Sequence, residues 1–460
     1  YFIWALGLCI LLPLLRIKSL SIISILFFTF FITSQSARFK TINFLAKIPK
    51  KQAVYYGQVI DVSKKRDATL AMAKLSSKDT KNFTANIIFT EALSKIPLKP
   101  GQEIILSGRP MAYEKPLSKV HFDAYSFGLS HGIHASFVIN KPNAISIGAI
   151  KNPPYFANLR LNFIEQALKA TTVHEASLLL ALMIGDTKLL SAEQIDIYKL
   201  LGIQHLLAVS GLQITLLSNL VFFVLVPLFI LLLPKKYLHY SKACAAFLAL
   251  LLTFWFVGLC GFTSSAQRAF LMGAILLLPT IWPRDIDIFD AFYVSGFLSI
   301  LIWPESVLDL GFLLSYAAVF SLLVAHQKSQ KIRNFFEHSK LLSMFITLLI
   351  SSVAAFLGTL PIIAATFQTF APFSILANMI LVPIASLLQI PAILLGLLGS
   401  LLGMPKLIEL AVIPANLIEI LSEFLYPYFG KMVILPDLLP ISLFSISLAI
   451  FLLFLCALKR

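Results

Sequence analysis

Apolar residues run through this chain in blocks too long for the core of a water-soluble domain. The first block, Tyr1 to Leu15, is followed at once by a second, Leu20 to Thr33. A cleaved leader carries a single such run, so the pattern predicts a helical hairpin over 1–33. The chain opens on Tyr1 rather than Met, and a short preceding piece is expected. After Ser34 the period falls to two. Alternation predicts strands at Ala53–Ile60, Ala68–Leu75, Phe83–Phe89, Glu103–Arg109 and His134–Ile139. The intervening Ser63–Asp67, Ser76–Asn82 and Lys99-Pro-Gly101 read as turns. Five strands of this length suit a small barrel of the OB type.

Helical spacing resumes at Tyr155–Ala170, where Phe156, Leu159, Phe163 and Ala167 share a face and Arg160, Glu165 and Lys169 mark a wetter side. This is the pattern of a helix lying in the bilayer interface. A short apolar helix is expected at Ala176–Ile184 and a polar one at Ser191–Gly202, where Ser191 and Gln194 have capping-box spacing. Long apolar runs then follow at Leu206–Leu233, Ala243–Cys260, Ala266–Trp282, Ile288–Trp303, Gly311–Ala325, Leu342–Thr366, Phe373–Leu402 and Leu438–Ala457. Pro361, Pro383 and Pro391 are expected to kink or break their spans, which is tolerated where neighbouring helices or a wet cavity satisfy the freed backbone.

Composition agrees with the bilayer as solvent. The 460 residues are 58% hydrophobic and 13% charged, with a mean hydropathy of +0.87; soluble domains carry about 25% charge. The fold class is therefore a polytopic α-helical membrane protein of about ten spans with an inserted OB-like β-barrel. Its expected parts are an N-terminal transmembrane hairpin (1–33), the barrel (34–150), interfacial and short helices (151–204) and a multispan domain (205–460). Cys9, Cys244, Cys260 and Cys456 all lie in or beside apolar runs and show no CxxC spacing, so neither disulfides nor a cysteine-held metal is expected. His131-x-x-His134 has ligand spacing on a helix but falls in turn and strand sequence, and no metal or other cofactor is expected there.

Charge sets the topology. Lys235, Lys236 and Lys242 form one basic loop, Lys328, Lys331, Arg333 and Lys340 another, and Lys459-Arg460 close the chain, whereas the loop Pro304–Asp309 carries only Glu305 and Asp309. Basic loops face the cytoplasm. Counting back places the β-rich insert outside. Between Ser34 and Arg160 stand 19 Lys/Arg against 7 Asp/Glu, a net +12 within a whole-chain +15. A field of that sign gathers polyanions: nucleic acid, anionic lipid or acidic glycan.

The densest polar motif is Gly185-Asp-Thr-Lys-Leu-Leu-Ser191 followed by Leu201-Gly-Ile-Gln-His-Leu-Leu-Ala-Val-Ser-Gly-Leu-Gln213. It places Asp186, His205, Ser210 and Gln213 at the mouth of an apolar span, where polar groups mark a path or an interhelical hydrogen bond. Ser210 with His205 also allows a nucleophile and base. Five residues on a helix turn them apart, however, and no Asp or Glu stands nearby to orient the imidazole, so catalysis is the weaker reading and the chain is expected not to be an enzyme. Arg268, about one turn into its span, either snorkels to water or lines a polyanion path.

This motif resembles the signature of the ComEC-type competence proteins, matched by Gly185, Asp186, Leu190, Ser191, Gly202, His205, Leu206, Leu207, Ala208, Ser210, Gly211 and Leu212. The closing His of that signature is Gln213 here. Later blocks are similar too: Gly261–Ala269, Asp309–Tyr316 with Ser315, and Gly358-Thr-Leu-Pro361 with Phe370, Asn378 and Pro383 after it. Phe122-Asp-Ala-Tyr125 and Gly132-Ile-His-Ala135 resemble the end of that family's OB-like domain. Together the matches cover roughly three quarters of the chain. The metallo-β-lactamase-like domain found in many relatives has no counterpart, since no His-x-His-x-Asp-His appears. The resemblance implies a channel that passes DNA, as a single strand, across the bacterial cytoplasmic (inner) membrane. It further implies an extracytoplasmic DNA receptor and a separate cytoplasmic motor or nuclease; a homo-oligomer is left open by the sequence. With no Walker-type loop, any nucleotide motor is a partner. On the insert, Lys64, Lys65, Arg66 and Arg109 are candidates for phosphate contacts. Tyr55, Tyr56, Phe83 and Tyr113 are candidates for base stacking or, alternatively, for filling the barrel. A transporter of another polyanion and an intramembrane hydrolase remain alternatives.

Overall fold

The structure, a computed structural model, describes residues 53–64, 69–77, 83–89, 98–112, 128, 133–141, 144–151, 154–281, 286–303, 309–330, 332 and 339–434. The expected hairpin at 1–33 and the expected span Leu438–Ala457 lie outside them, as do Lys65, Arg66 and Tyr113. The described residues fall into two compact units, one of 53–161 and 214–309, the other of 162–213 and 310–434.

The first unit holds a seven-stranded sheet: β1 (Ala53–Lys64), β2 (Thr69–Ser76), β3 (Phe83–Phe89), β4 (Gln102–Gly108), β5 (Met111–Ala112), β6 (Ala135–Ile139) and β7 (Ile145–Ile150). Period-two alternation sends Tyr55, Val59, Leu75, Phe83, Ile87, Phe89, Leu106 and Phe137 into one apolar core. A bulge between Val59 and Asp61 resets the phase, so Val62 also points inward. The strand order is β5-β6-β3-β2-β1-β4-β7, with β3 and β6 parallel and the other pairs antiparallel. All five expected strands are present within a few residues. The end strands β5 and β7 do not pair with each other, so the hydrogen-bonded ring of a closed barrel is not formed. Only Arg109 and Pro110 separate β4 from β5, so one stretch of chain serves β1 towards one end of the order and β6 at the other.

Helix α1 (Tyr155–Ala170) follows. Within the first unit Phe156 meets Phe262 edge-on at 5.3 Å, and a side chain on Gly258 would collide with the Phe156 ring. The Arg160 guanidinium lies 4.0 Å from Asp61 of β1 and also faces Gly261, where an added Cβ would stand 2.5 Å from Nη1. Gly261 and Phe262 both have positive φ, at 73° and 50°. The apolar helices of this unit are α4 (Gly211–Leu232), α5 (Ser241–Leu259), α6 (Ser264–Ile281) and α7 (Ile288–Ile302). The Ser264 hydroxyl donates to the Asp309 carboxylate, so the first turn of one motif block is tied to the start of another.

The second unit contains α2 (Val173–Ile184), α3 (Ala192–Leu200), α8 (Leu310–Lys328), α9 (Lys340–Phe367), α10 (Ser374–Leu402) and α11 (Pro405–Phe429). Among the described residues, six helical stretches are long and apolar enough to cross a membrane, as a polytopic helical membrane protein requires. Pro361, Pro383 and Pro391 do not break their helices: α9 and α10 run through them. Helix α11 has no counterpart among the spans expected from the sequence.

Candidate functional site

The Gly185–Gln213 motif folds as two capped helices and a non-helical segment. Thr172 caps α2 in a capping box with Glu175. The Thr172 N–H, donating to that carboxylate at 3.0 Å, is the main cause holding Glu175 below its ordinary pKa. Gly185 ends α2 with φ 71°, and its N–H and that of Asp186 return to the carbonyls of Ala181 and Leu180. Asp186 is only 4% exposed, and its Oδ1 accepts the Lys188 N–H at 3.2 Å. Ser191 and Gln194 form the capping box that their spacing predicts. Helix α3 stops before Gly202, whose φ of 70° is left-handed. A one-turn 3-10 helix, Gln204–Leu206, carries His205, which is exposed, and α4 starts only at Gly211. The expected helix from Leu206 is therefore interrupted at Leu207–Ser210.

Irregular backbone at membrane depth persists only where its polar groups find partners. Gln213 supplies them. Its Oε1 accepts the Ser210 N–H at 2.7 Å, and its own N–H donates to Ser210 Oγ at 3.2 Å. Its Nε2 donates at 3.1 Å to the carbonyl of Leu182, in the last turn of α2, where helix carbonyls lack intrahelical donors. One buried side chain thus caps the start of α4 and the end of α2. Gln389 of α10 adds a longer bond, 3.4 Å, to the Leu206 carbonyl. Because the Ser210 hydroxyl is a helix cap, Ser210→Ala is expected to cost about 1 kcal/mol. Melting of the purified chain in detergent is expected to shift only modestly.

The other motif residues are not gathered at one point. Arg268 is 4% exposed and buried within the first unit, so it does not snorkel to the surface of that unit. Gly358 is a packing residue of α9: a Cβ there would overlap Ser321 of α8. Pro361 is buried and Ser315 half-buried. The Asn378 Oδ1 of α10 is buried and has no hydrogen-bond partner among the described residues. On the sheet, Tyr55 is 1% exposed and packs edge-on against Phe83 (5.7 Å) and Phe137 (5.2 Å); Tyr55 and Phe83 are core residues and cannot stack on a base. Their neighbour Tyr56 faces outward, 52% exposed and opposite Ile105. Arg109 is exposed just beyond β4, and Lys64 ends β1. His134 Nδ1 accepts the Thr84 N–H at 3.2 Å.

Sequence reasoning missed Glu419. It is buried on α11, accepting Gln194 Nε2 at 2.9 Å and lying 3.0 Å from His174 Nε2.

Helices long and apolar enough to cross a membrane, with a polar-capped interruption before one of them and a β-sheet domain earlier in the chain, define a polytopic membrane protein built around a signature segment. Residues 182–460 match the family described as Competence protein, and the chain belongs to that family. It is also similar to ComE operon protein 3 of Bacillus subtilis (strain 168), with 25% identity over 356 residues, 76% of this chain and 43% of that protein. The chain thus spans less than half the length of that relative. No solved structure matches it.

Proposed function

We propose that the chain is a channel for transforming DNA, passing one strand across the cytoplasmic membrane. The observation that carries this reading is the non-helical Leu207–Ser210 segment, held by Gln213 in the family-matched region. Such segments line wet passages through otherwise apolar bundles. The Asn378 Oδ1, without a partner among the described residues, is of the kind a hydrated passage would serve. The net +12 between Ser34 and Arg160 gathers phosphates outside. Conduction then asks for sites that hold the polyanion without trapping it.

The insert reads as an OB-like domain. Support comes from the β1-β2-β3 meander, the parallel β3/β6 pair, and the short Arg109-Pro110 link that carries the chain from β4 beside β1 to β5 beside β6. Tyr56 is its stacking platform, and Lys64, Lys65, Arg66 and Arg109 its phosphate contacts. The reading involves no catalysis by this chain. An extracytoplasmic receptor delivers DNA, a separate motor or nuclease acts on it, and copies of the chain assemble together.

Two measurements test this. In a deletion strain expressing the chain, DNA reaching the cytoplasm is expected to recover, scored separately from DNA bound at the surface. The purified full-length chain is expected to bind single-stranded DNA with an affinity that falls steeply with salt. Tyr56→Ala should weaken that binding by about 1–3 kcal/mol. Binding of an acidic glycan without DNA binding would point instead to a transporter of another polyanion.

A further inference from the structure

Helix α11 carries Lys406, Glu409, Glu419 and Glu423 and two internal prolines, Pro414 and Pro427. It nevertheless packs along α10, which it follows after a turn at Gly403 and Met404. Its 25 residues extend about 37 Å, more than the hydrocarbon thickness of about 30 Å. A helix of that length returning beside a span is long enough to cross the bilayer again. Charge parity agrees. With Lys328 and Lys340 in the cytoplasm, α9 runs outward, α10 inward and α11 outward. The expected span at 438–457 then returns inward, which puts Lys459-Arg460 in the cytoplasm. Without α11 as a crossing, the basic terminus falls on the wrong side.

The outer face of α11 is apolar: Leu410, Ile413, Leu417, Ile420 and Phe424 are exposed at spacings of three and four. The opposite face is buried and carries Glu419, about 21 Å along the helix. An ionisable group in that position is costly and needs a reason. Gln194 is oriented by its Oε1, which accepts the Ser191 N–H at 3.0 Å, so its Nε2 is committed to donating to Glu419. The other oxygen of Glu419 meets His174, whose ring is 54% exposed at the start of α2. That contact holds before a proton arrives, with neutral imidazole Nε2–H donating to the carboxylate, and after it, as imidazolium with carboxylate or neutral imidazole with carboxylic acid.

We propose that His174 and Glu419 form a proton-exchange site, reached from extracytoplasmic water and used by the transport step; this rests on the transport reading above. The imidazole takes a proton from water at its exposed edge. The Nε2–H bond then breaks as an O–H bond forms on Glu419, converting an ion pair into a neutral pair within the bundle. Glu175 beside His174, Tyr198 on α3 and Glu423 one turn along α11 are the other titratable groups at this cluster. The two carboxylates favour the arrival of a proton over that of an anion.

Infrared difference spectra of the purified full-length chain, titrated from about pH 8 to about pH 5 where histidine changes charge, are expected to show a protonated-carboxyl band. Glu419→Gln should remove it and His174→Asn should shift it. Glutamine is nearly isosteric and still accepts from Gln194, so Glu419→Gln should reach the membrane at wild-type levels. In cells it should lower transformation at least about tenfold and flatten its dependence on external pH. A band unchanged in Glu419→Gln overturns the site. A band lost with transformation unchanged at every pH overturns its use in transport. Failure of the wild-type chain to restore uptake sinks the transport reading instead, and the spectra are read independently of that.

Discussion

Valine at position 202 is expected to abolish transformation and to lower the amount of folded chain in the membrane. Gly202 has a φ of 70°, and a Cβ there would overlap Ser374 Cβ while standing 3.2 Å from Ala371 Cβ. A left-handed backbone costs a substituted residue about 1–2 kcal/mol, and forcing atoms into a filled site about 1–3 more. Together, about 2–5 kcal/mol is a large part of the marginal stability of a folded domain. The strain falls where α3 turns into the 3-10 helix, so the Leu207–Ser210 segment moves with it. Membrane-fraction immunoblots and melting in detergent measure the effect. Ser374→Gly should recover part of the loss in the double variant, because it removes the collision and leaves the backbone cost. No recovery would show that the contact with Ser374 is not what the glycine serves.

Leucine at position 213 is expected to be nearly as damaging, and histidine nearly silent. Leucine strands the Ser210 N–H and the Leu182 carbonyl at once. Each unpaired buried group costs about 1–3 kcal/mol. Neutral histidine, the residue of the related signature, has one accepting and one donating nitrogen and can replace the amide at both ends. If Gln213→His lost activity as Gln213→Leu does, the two-cap geometry would not be what position 213 provides. Equal transformation by the wild type and Gln213→His would mean that proton exchange at this position is not needed for uptake.

Periodicity disclosed much of the fold. Strands β1 to β4 and β6, helix α1 and the apolar helices α4 to α10 start and stop close to where alternation, capping residues and glycines place them. The failures have identifiable causes. Strand β7 is mostly exposed and contains Gly148, so no alternation marks it. Leu206 to Val209 is apolar and reads as helix; the Ser210–Gln213 cap spacing that marks the true helix start lies just after the apolar run, and the bond from Gln389 to the Leu206 carbonyl is remote in sequence. Tyr55 and Tyr56 are adjacent, and only the register of β1 decides which one reaches water. Pro361, Pro383 and Pro391 read as kinks or breaks, and α9 and α10 continue through them without a break. Helix α11 was hidden by its charges, and Glu419 with it, because a carboxylate that meets its partners 225 and 245 residues away in sequence leaves no spacing to read.

Arg160 joins two parts of one unit. It touches Asp61 in the sheet and the Gly261 turn that links two apolar helices. Mechanically, it acts as a strut. Tension on a polymer gripped at Tyr56 would travel along β1 through this guanidinium into the turn between α5 and α6, bypassing the short connector ahead of α1. Under the proposed function, drag on a bound strand would thereby be felt at the helices.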